Sequence, residues 1–577
     1  MNKNILIFFM IAMIFAGCTD LLSPADDNHR GLSGLYADAN FAEGVLMNGY
    51  MLLPINNYSF NDVATDDAVT NVKSNGYLAM ATGQWTSQNN PTEQWTNSLK
   101  AINYLNLFLA NSDKVNWSSD TIVSRMFNDR NKGEAYALRA LHMYFILTAH
   151  GGYSQAGDLL GAPILTDVYQ DADFKKPRNK FSDCVSQIYS DLNKAEALLP
   201  LDFKKYTSMS QVPSRYSNGS VEQYNRVYGK AFKQRITARI VKAIRAKVAL
   251  LAASPAFGTG SWSDAADHAA NVLDLIGGVS GLDPKGNIFY TKEQINAIDI
   301  SGDNDNDQKE MLWRTSKSNS SSLEANVFPP SQYGSGQINP TQNLVDAFPM
   351  ANGYPITDPA SNYDPQHPYA NRDPRLAAYI IYDGNSLRGT TIHTSVGSGN
   401  DAVDSIKTST RTGYYIKKLI REDVNVNPSS TQSQYHYVPY IRYTEIYLDY
   451  AEAANEAWGP DGSGTHGYSA RDVIAAIRKR AGISQPDNYL ASITTKENMR
   501  ILIHNERRLE LCFEGFRFWD LRRWKEDITQ TAKGVIIKGT TFTKKDVENR
   551  SFKDYMYYGP VPYTEMLKSD LIQNKGW

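Results

Sequence analysis

The densest group of side chains able to do chemistry lies near the C-terminal end, between residues 506 and 524. Carboxylates, guanidinium groups and aromatic rings alternate there. Leu502, Glu506 and Leu509 fall on one face of a helix, which places a carboxylate on an apolar stripe. A buried carboxylate must be paired. The arginines that follow a turn at Gly515 are candidate partners, namely Arg517, Arg522 and Arg523.

Two roles fit these carboxylates. Glu506 or Glu510 could serve in acid–base catalysis, as paired carboxylates do in glycoside cleavage. The regular alternation of charges with aromatic rings favours a structural role in a buried lattice of ion pairs. The structural motif consists of Glu506, Arg507, Glu510, Glu514, Gly515, Arg517, Asp520, Arg523 and Trp524.

Sequence signatures of several catalytic classes are missing. The chain has no H-E-x-x-H, G-x-S-x-G, Walker loop, G-x-G-x-x-G or CxxC pattern. No motif therefore points to an enzyme of these classes, and no cofactor is predicted. Carboxylate pairs that cleave glycosides are set by folding and not by spacing, so a secreted glycan-degrading enzyme stays open as an alternative.

An acidic stretch offers a weak calcium candidate. Asp303, Asp305 and Asp307 alternate with asparagines, like the opening of a calcium loop. Gln308 replaces the glycine that such a loop needs, and Arg314 occupies the position of the bidentate glutamate. A solvated acidic loop is favoured, and no metal site is predicted.

The N-terminal residues indicate export and a lipid anchor. Residues 5–15 form an apolar run of eleven residues, too short to span a bilayer but typical of a signal peptide. Ala16, Gly17 and Cys18 follow, which resembles a bacterial lipobox with Phe15 where leucine is usual. We predict a signal peptide over 1–17, lipidation of Cys18 and a tether over 18–30 that is acidic early on.

The rest of the chain is predicted to form a large, mostly α-helical fold. Apolar residues recur at helical spacing from about 90 to 280 and from about 440 to 525, while Gly, Asn, Ser and Pro accumulate from about 285 to 440. Thr494 and Glu497 predict a capping box. Cys184 and Cys512 lie in amphipathic runs, which favours two buried free thiols. A net charge of −2 gives no reason to expect nucleic acid as a partner.

The C-terminal motif is where a family resemblance becomes visible. The segments E-R-x-x-E-L, F-E-G-x-R and D-L-x-R-W resemble the signature of the SusD/RagB family of outer-membrane nutrient-binding lipoproteins. Further blocks agree in family order, at residues 133–152, 177–200, 235–255, 340–353, 373–375, 413–418, 442–445 and 571–577. Lys575 stands where proline is common. The resemblance covers essentially the whole mature chain and predicts a SusD-like domain over 31–577.

This resemblance implies a fold, a partner and a role. The fold would be a SusD-like scaffold of four tetratricopeptide-like helical units, with a loop-rich region and short strands forming the ligand face. The partner would be a SusC-like TonB-dependent barrel, beside which the lipid holds the protein on the cell surface of the outer membrane. The role would be non-enzymatic capture of oligo- or polysaccharides for uptake. No clean 34-residue period is present, so the repeats are degenerate.

The resemblance also directs attention to two segments for ligand contacts, the one after the first helix and the loop-rich insertion. Aromatic rings suit sugar C–H faces, while amides and carboxylates suit hydroxyl groups. Trp85, in a polar stretch, could stack on a sugar or pack in the core, whereas Trp95 favours core packing. The candidate ligand residues are Tyr58, Asp66, Asp67, Trp85, Asn89, Asn90, Trp313 and Tyr333.

Two further alternatives remain beside the enzyme. A member of the same family could bind peptides or another nutrient. A repeat scaffold could simply join outer-membrane partners.

Overall fold

A computed structural model describes residues 32–168, 175–299 and 306–577. Cys18 and the predicted signal peptide lie outside the described residues, as do Asp303 and Asp305 of the acidic stretch. None of the helices in these ranges combines the length and the hydropathy that a bilayer-spanning segment requires.

The described chain is mostly helical, which confirms the predicted fold class. Its α-helices, in chain order, are α1 (Leu32–Ala37), α2 (Ala39–Met51), α3 (Gly76–Ala79), α4 (Trp95–Asn111), α5 (Thr121–His150), α6 (Phe181–Leu198), α7 (Val221–Tyr228), α8 (Ala238–Ala253), α9 (Trp262–Leu273), α10 (Lys292–Asn296), α11 (Ser322–Val327), α12 (Gln342–Ala347), α13 (Pro374–Tyr379), α14 (Tyr443–Trp458), α15 (Ala470–Ala481), α16 (Asn488–Ser492), α17 (Lys496–Glu510), α18 (Arg517–Trp524) and α19 (Tyr563–Lys568).

The strands are short and pair two by two, always antiparallel. They are β1 (Ala68–Thr70), β2 (Gly152–Tyr153), β3 (Leu159–Leu160), β4 (Met311–Arg314), β5 (Ser318–Ser320), β6 (Ile338–Pro340), β7 (Ile380–Ile381), β8 (Ser386–Leu387), β9 (Thr390–Thr391), β10 (Tyr415–Ile416), β11 (Gln434–His436), β12 (Pro439–Arg442), β13 (Ala532–Lys538) and β14 (Thr541–Glu548). The pairs β1–β6, β5–β11 and β4–β12 join distant parts of the chain.

The long helices form an array in which each helix packs against the next. The order of contacts is α2, α4, α5, α6, α8, α9, α14 and α17, with α15 beside α14. Alanines on α8, α9 and α14 are buried at these contacts, which lets the helix backbones approach closely. Such nearest-neighbour packing is typical of helical repeat proteins. One core cluster runs through the whole array and includes Trp95, buried as predicted.

A long insertion interrupts this array. Helices α9 and α14 pack on each other, although the chain leaves the array after Leu273 and returns only at Tyr443. The inserted residues contribute most of a second core cluster, to which Leu509, Cys512 and Phe513 also belong. The molecule therefore has two layers, a helical array and a loop-rich layer, and the C-terminal motif contacts both.

The carboxylates of the motif are buried and ion-paired, as the alternation of charges predicts. Glu506 lies 2.9 Å from Arg375 and 2.8 Å from Arg478, while Glu510 lies 3.1 Å from Arg375 and 3.0 Å from Arg480. The partners differ from the prediction, because Arg517, Arg522 and Arg523 do not pair with Glu506. Arg375 comes from α13 of the loop-rich layer, so these pairs tie the two layers together.

The remaining charges of the motif are also paired. Glu514 lies 2.7 Å from Arg442 and 2.6 Å from Lys418. The other contacts link Arg507 to Asp449 and Asp520, Arg523 to Glu452 and Asp520, and the Trp524 indole N–H to Glu452. We call the motif residues and these partners the ion-pair lattice.

The turn at Gly515 requires glycine. Its φ is +82°, and a Cβ atom there would lie 3.0 Å from the backbone oxygen of Ser59. Asn61 donates a hydrogen bond to the Gly515 carbonyl at 3.0 Å. Helix α17 begins after Thr495, whose hydroxyl accepts from the Asn498 N–H, so the capping residue lies one position after the predicted Thr494. Cys184 and Cys512 are free and buried, as predicted.

Loss of one carboxylate from the ion-pair lattice should destabilise the protein strongly. Glu510→Ala leaves the buried Arg375 and Arg480 short of a partner, which should cost about 3–5 kcal/mol of unfolding free energy. Urea unfolding at pH 7 measures this. Glu497→Ala removes an exposed carboxylate from the same helix and should cost less than about 1 kcal/mol. Equal losses in the two variants would contradict a stabilising lattice.

Acid should also destabilise the protein. Burial alone would raise the pKa of Glu510, but Arg480, Arg375 and Arg442 outweigh it and lower the pKa from 4.5 to about 2. Arg523 outweighs burial at Glu452 in the same way and lowers its pKa to about 2. A carboxyl whose pKa is lower in the folded state than in the unfolded state stabilises the folded state at pH values above its unfolded pKa. This contribution is lost as the pH falls through the folded pKa.

One group acts in the opposite direction. Burial raises the pKa of Asp62 from 3.8 to about 7, so its protonation favours the folded state as pH falls through that range. The contribution of Asp62 changes between its folded pKa of about 7 and its ordinary pKa of 3.8, whereas the contributions of the two glutamates still change below pH 3.8. We expect the urea midpoint to fall steeply from there toward pH 2, and Glu452→Gln to make that fall shallower. A midpoint that does not change over this range would contradict the prediction.

Candidate functional site

A cavity of about 640 Å³ lies between the helical array and the loop-rich layer. The segment after α2, residues 54–60, forms one wall, and the ends of α5 and α8 form another. Strand β12, the start of α14, the turn at Gly515 and α18 supply further lining residues. The volume suits a ligand of a few sugar units, since small-molecule sites measure about 300–1,000 Å³.

Partly exposed aromatic rings are the main feature of this cavity. Trp519 and Phe516 come from the C-terminal motif, and Tyr144 and Phe145 are neighbours on α5. Core packing accounts for fully buried rings, whereas these rings keep part of their surface free. The partly buried aromatic residues that line the cavity are Tyr58, Phe60, Tyr77, Tyr144, Phe145, Tyr440, Phe516, Trp519 and Tyr557.

Side-chain amides accompany the rings. Asn57, Asn97 and Asn326 are exposed, and Asn75, Gln94 and Gln337 are partly buried. Each amide offers both donors and an acceptor, which matches the hydroxyl groups of a sugar. The lining therefore combines flat apolar surfaces with neutral polar groups.

Charged side chains of the cavity belong largely to the ion-pair lattice. Arg507 lies 2.6 Å from Asp449 and 2.8 Å from Asp520, and Lys247 pairs with Glu445. Burial raises the pKa of Asp449 to about 6, and Arg507 opposes this shift. The Asp449 oxygen Oδ2 has no hydrogen-bond partner in the structure, so it can accept from a ligand hydroxyl once that oxygen is reached.

Of the predicted ligand residues, all of which are described, Tyr58 alone lines this cavity. Its hydroxyl donates to the Tyr437 carbonyl at 3.2 Å, and its ring is partly exposed. Burial raises its pKa far above the ordinary value, so the hydroxyl stays protonated. The other predicted residues lie elsewhere.

Asp66 and Asp67 lie in buried ion pairs and do not line the cavity, and their contact with a ligand stays a prediction. Both are buried, and Arg508 contacts both of them. Arg517 lies 3.1 Å from Asp66. Their carboxylates thus face the arginines of the C-terminal motif, and strand β1 begins directly after them at Ala68.

Trp85 belongs to the core, which decides between its two predicted roles. The residue is 2% exposed, and its ring lies 4.8 Å from the ring of Trp577 and 5.9 Å from that of Phe518. Its indole N–H donates to Asn90 at 3.0 Å, so Asn90 supports the buried position of Trp85. Asn89 is exposed, and its amide donates to the Gln84 carbonyl at 3.0 Å.

Trp313 and Tyr333 differ sharply in their solvent exposure. Trp313 is 2% exposed and packs against Tyr440 with 4.5 Å between the ring centres, so it has a packing role in the structure. Tyr333 is 58% exposed, and its φ of +64° is unusual for a residue other than glycine. Tyr333 stays a proposed ligand contact on the surface, outside the cavity.

The calcium candidate is only partly described. Asp307 lies 3.0 Å from Arg314, so this carboxylate already has a cationic partner. The positions of Asp303 and Asp305 lie outside the described residues.

Sequence reasoning missed most of the cavity. Trp519 lies inside the motif, but its neighbours Phe518 and Asp520 are buried while Trp519 is not. Spacing on a short helix does not reveal which ring faces a cavity. A run of two aromatics on α5, Tyr144 and Phe145, was the available signal, because both lie beside the apolar face of that helix.

Comparisons with known proteins place the chain in one family. The model of the SusD family matches residues 292–577, and a second model, described as starch-binding and associating with the outer membrane, matches residues 44–218. SusD-like protein P25 of Formosa agariphila is 27% identical over 172 residues, 28% of each chain. That match therefore spans under a third of this curated relative.

Solved structures share the fold over almost the whole chain. A SusD-like protein from Bacteroides fragilis superposes with a TM-score of 0.71 at 24% identity, covering 96% of this chain and 100% of that one. A SusD-like carbohydrate-binding protein from the same species gives 0.69 at 20% identity over 93% and 99%. A laminarin-binding SusD-like protein gives 0.56 at 20% identity over 94% and 100%. By its family matches and its fold, this chain belongs to the SusD/RagB family.

Proposed function

We propose that this protein captures a glycan at the cell surface and passes it to a SusC-like TonB-dependent transporter. The observation that carries the proposal is the cavity lined by partly exposed aromatic rings and side-chain amides. Rings such as Trp519 and Tyr58 present flat faces for sugar C–H groups, while the amides pair with hydroxyls. Two structural relatives described as carbohydrate-binding and laminarin-binding support the ligand class.

The proposed site is a binding site and not a catalytic one. Of the carboxylates that line the cavity, Glu445, Asp449, Glu514 and Asp520 are ion-paired with lysine or arginine. A general acid needs a proton at working pH. Arg442 and Lys418 outweigh burial at Glu514 and lower its pKa, and Arg507 opposes the rise that burial gives the pKa of Asp449. Glu93 lacks such a partner among the described residues, and a single carboxylate does not supply the pair that glycoside cleavage uses.

The proposed location follows from the N-terminal sequence. Cleavage before Cys18 would leave a thiol for lipidation, and acyl chains would hold the protein on the outer membrane. The second family model supports association with that membrane. A tether beside the transporter would raise the local concentration of captured glycan.

Removal of a cavity ring should weaken glycan binding. Calorimetry against a panel of oligosaccharides should identify a bound glycan, and Trp519→Ala or Tyr58→Ala should each lower its affinity on the order of tenfold, because a stacked ring is lost. Tyr563→Ala removes a ring that is 42% exposed outside the cavity and should leave the affinity unchanged.

The same panel tests the rival functions. Product release would establish catalysis and contradict a binding-only role. Binding of peptide digests without glycans would favour the peptide-binding alternative. A stable complex with the barrel but no ligand would favour a scaffold. A glycan whose affinity depends on Tyr333 and not on Trp519 would move the site to the loop surface.

Replacement of Cys18, the proposed lipidation site, should release the protein from the membrane. Cys18→Ser should abolish labelling with a fatty-acid analogue and shift the protein out of the outer-membrane fraction, since the acyl chains supply the anchoring. Cys184→Ser is the matched control, because it alters a buried thiol. Membrane retention of Cys18→Ser at the wild-type level would contradict the proposed anchor.

A further inference from the structure

Arg522 differs from every other cation that lines the cavity. Lys247, Arg442, Arg507 and Arg523 each lie within ion-pair distance of a carboxylate. Arg522, which is only 3% exposed, has no carboxylate partner among the described residues. A buried charge without a counter-charge is costly, so the cavity contains an uncompensated positive group.

The hydrogen bonds of this guanidinium are incomplete. Its Nε donates to the Tyr557 carbonyl at 2.9 Å, and its Nη2 lies 3.4 Å from the Ala149 carbonyl. The third nitrogen, Nη1, has no partner. Two neutral carbonyls hold the group in place and leave its charge uncompensated and one buried nitrogen without a hydrogen-bond partner. Such an arrangement resembles half of a bidentate anion site.

Electrostatics agree with this geometry. Burial lowers the pKa of Arg522 to about 9, and the Tyr558 hydroxyl is the one neighbour that opposes the shift. Arg522 is therefore still a cation at neutral pH. At Arg523, next in the chain, Glu452 and Asp520 outweigh burial and hold the pKa above its ordinary value. The D-L-x-R-W motif specifies an arginine at 523 and leaves position 522 open.

The aromatic surroundings determine how a ligand reaches this group. The guanidinium lies 5.3 Å from the centres of the Trp519 and Phe518 rings and 5.7 Å from that of Trp85. Of these rings, Trp519 lines the cavity and is only partly buried. An anion bound at this guanidinium would lie close to Trp519, so binding there should change the tryptophan fluorescence.

We propose that the cavity takes an acidic glycan and that Arg522 binds the carboxylate of a uronic acid or the sulfate ester of such a sugar. This inference rests on the proposed function and narrows its ligand class. The rings and amides would hold the neutral part of the sugar chain, and Arg522 would supply the recognition of charge. Binding would also compensate the buried cation, so affinity depends on the anion more strongly than at an exposed arginine.

The test uses oligosaccharides bearing uronic acids or sulfate esters, each beside its neutral counterpart, the methyl ester or the desulfated form. Calorimetry on the full mature protein should find the tightest ligand among the acidic members, about tenfold tighter than its neutral form, as one charge-assisted hydrogen bond gives. The comparison of uronic acids with their methyl esters tests a carboxylate as the bound group, and the comparison of sulfate esters with their desulfated forms tests a sulfate. Binding should also change the Trp519 fluorescence.

Substitution of Arg522 completes the test. In Arg522→Met the acidic-to-neutral affinity ratio should fall to about one, and Arg522→Lys should restore part of it. Lys538→Met removes a charge from the exposed end of β13 and should leave the ratio as in the wild type. If Arg522→Met does not fold, the acidic-to-neutral affinity ratio of the wild-type protein decides whether the protein prefers an acidic glycan.

The outcomes separate this inference from the proposed function. A neutral glycan as the tightest ligand, or equal affinity for both members of a pair, would overturn the inference and leave glycan capture standing. An unchanged ratio in Arg522→Met would overturn it too. Failure of every glycan to bind would overturn the proposed function, and binding of acidic peptides alone would assign the anion site to another ligand class.

Discussion

The structure depends on the pairing of buried charges around α17 and α18. Glu510 contacts Arg375 of the loop-rich layer and Arg480 of the helical array, so a single carboxylate joins both layers. Apolar packing alone is non-directional and would let the layers slide. Buried ion pairs with fixed geometry define one relative position, since breaking any of them leaves an uncompensated charge.

The position of the cavity follows from this arrangement. It lies where the two layers meet, and its inner side is formed by lattice members such as Arg507, Asp449 and Asp520. Their mutual pairing satisfies these buried charges without a ligand. The rings come partly from the same motif, as Phe516 and Trp519 do, and partly from other segments, as Tyr58 and Tyr144 do. Arg522 stands between the two groups, buried like a lattice member but unpaired.

Local patterns predicted the helical class, the paired charges of the motif, the burial of Trp95 and the free thiols, because helical spacing determines which side chains are buried together. Long-range pairing was not accessible. Arg375 and Glu506 are 131 positions apart, and no local pattern joins them. Trp85 lies among polar residues in the chain, yet tertiary contacts with Phe518 and Trp577 bury it. The cavity draws its walls from many separate segments, so only Tyr58 was found in advance.

The insertion between α9 and α14 has a consequence for how such a molecule can diversify. Since these helices pack on each other directly, the array is continuous without the intervening chain. The insertion must keep only its points of attachment, among them Arg375, Lys418 and Arg442. Loops between those points, such as the exposed stretch 395–400, are free to change in length and composition. Changes in these loops could thus alter ligand preference while the helical array stays the same.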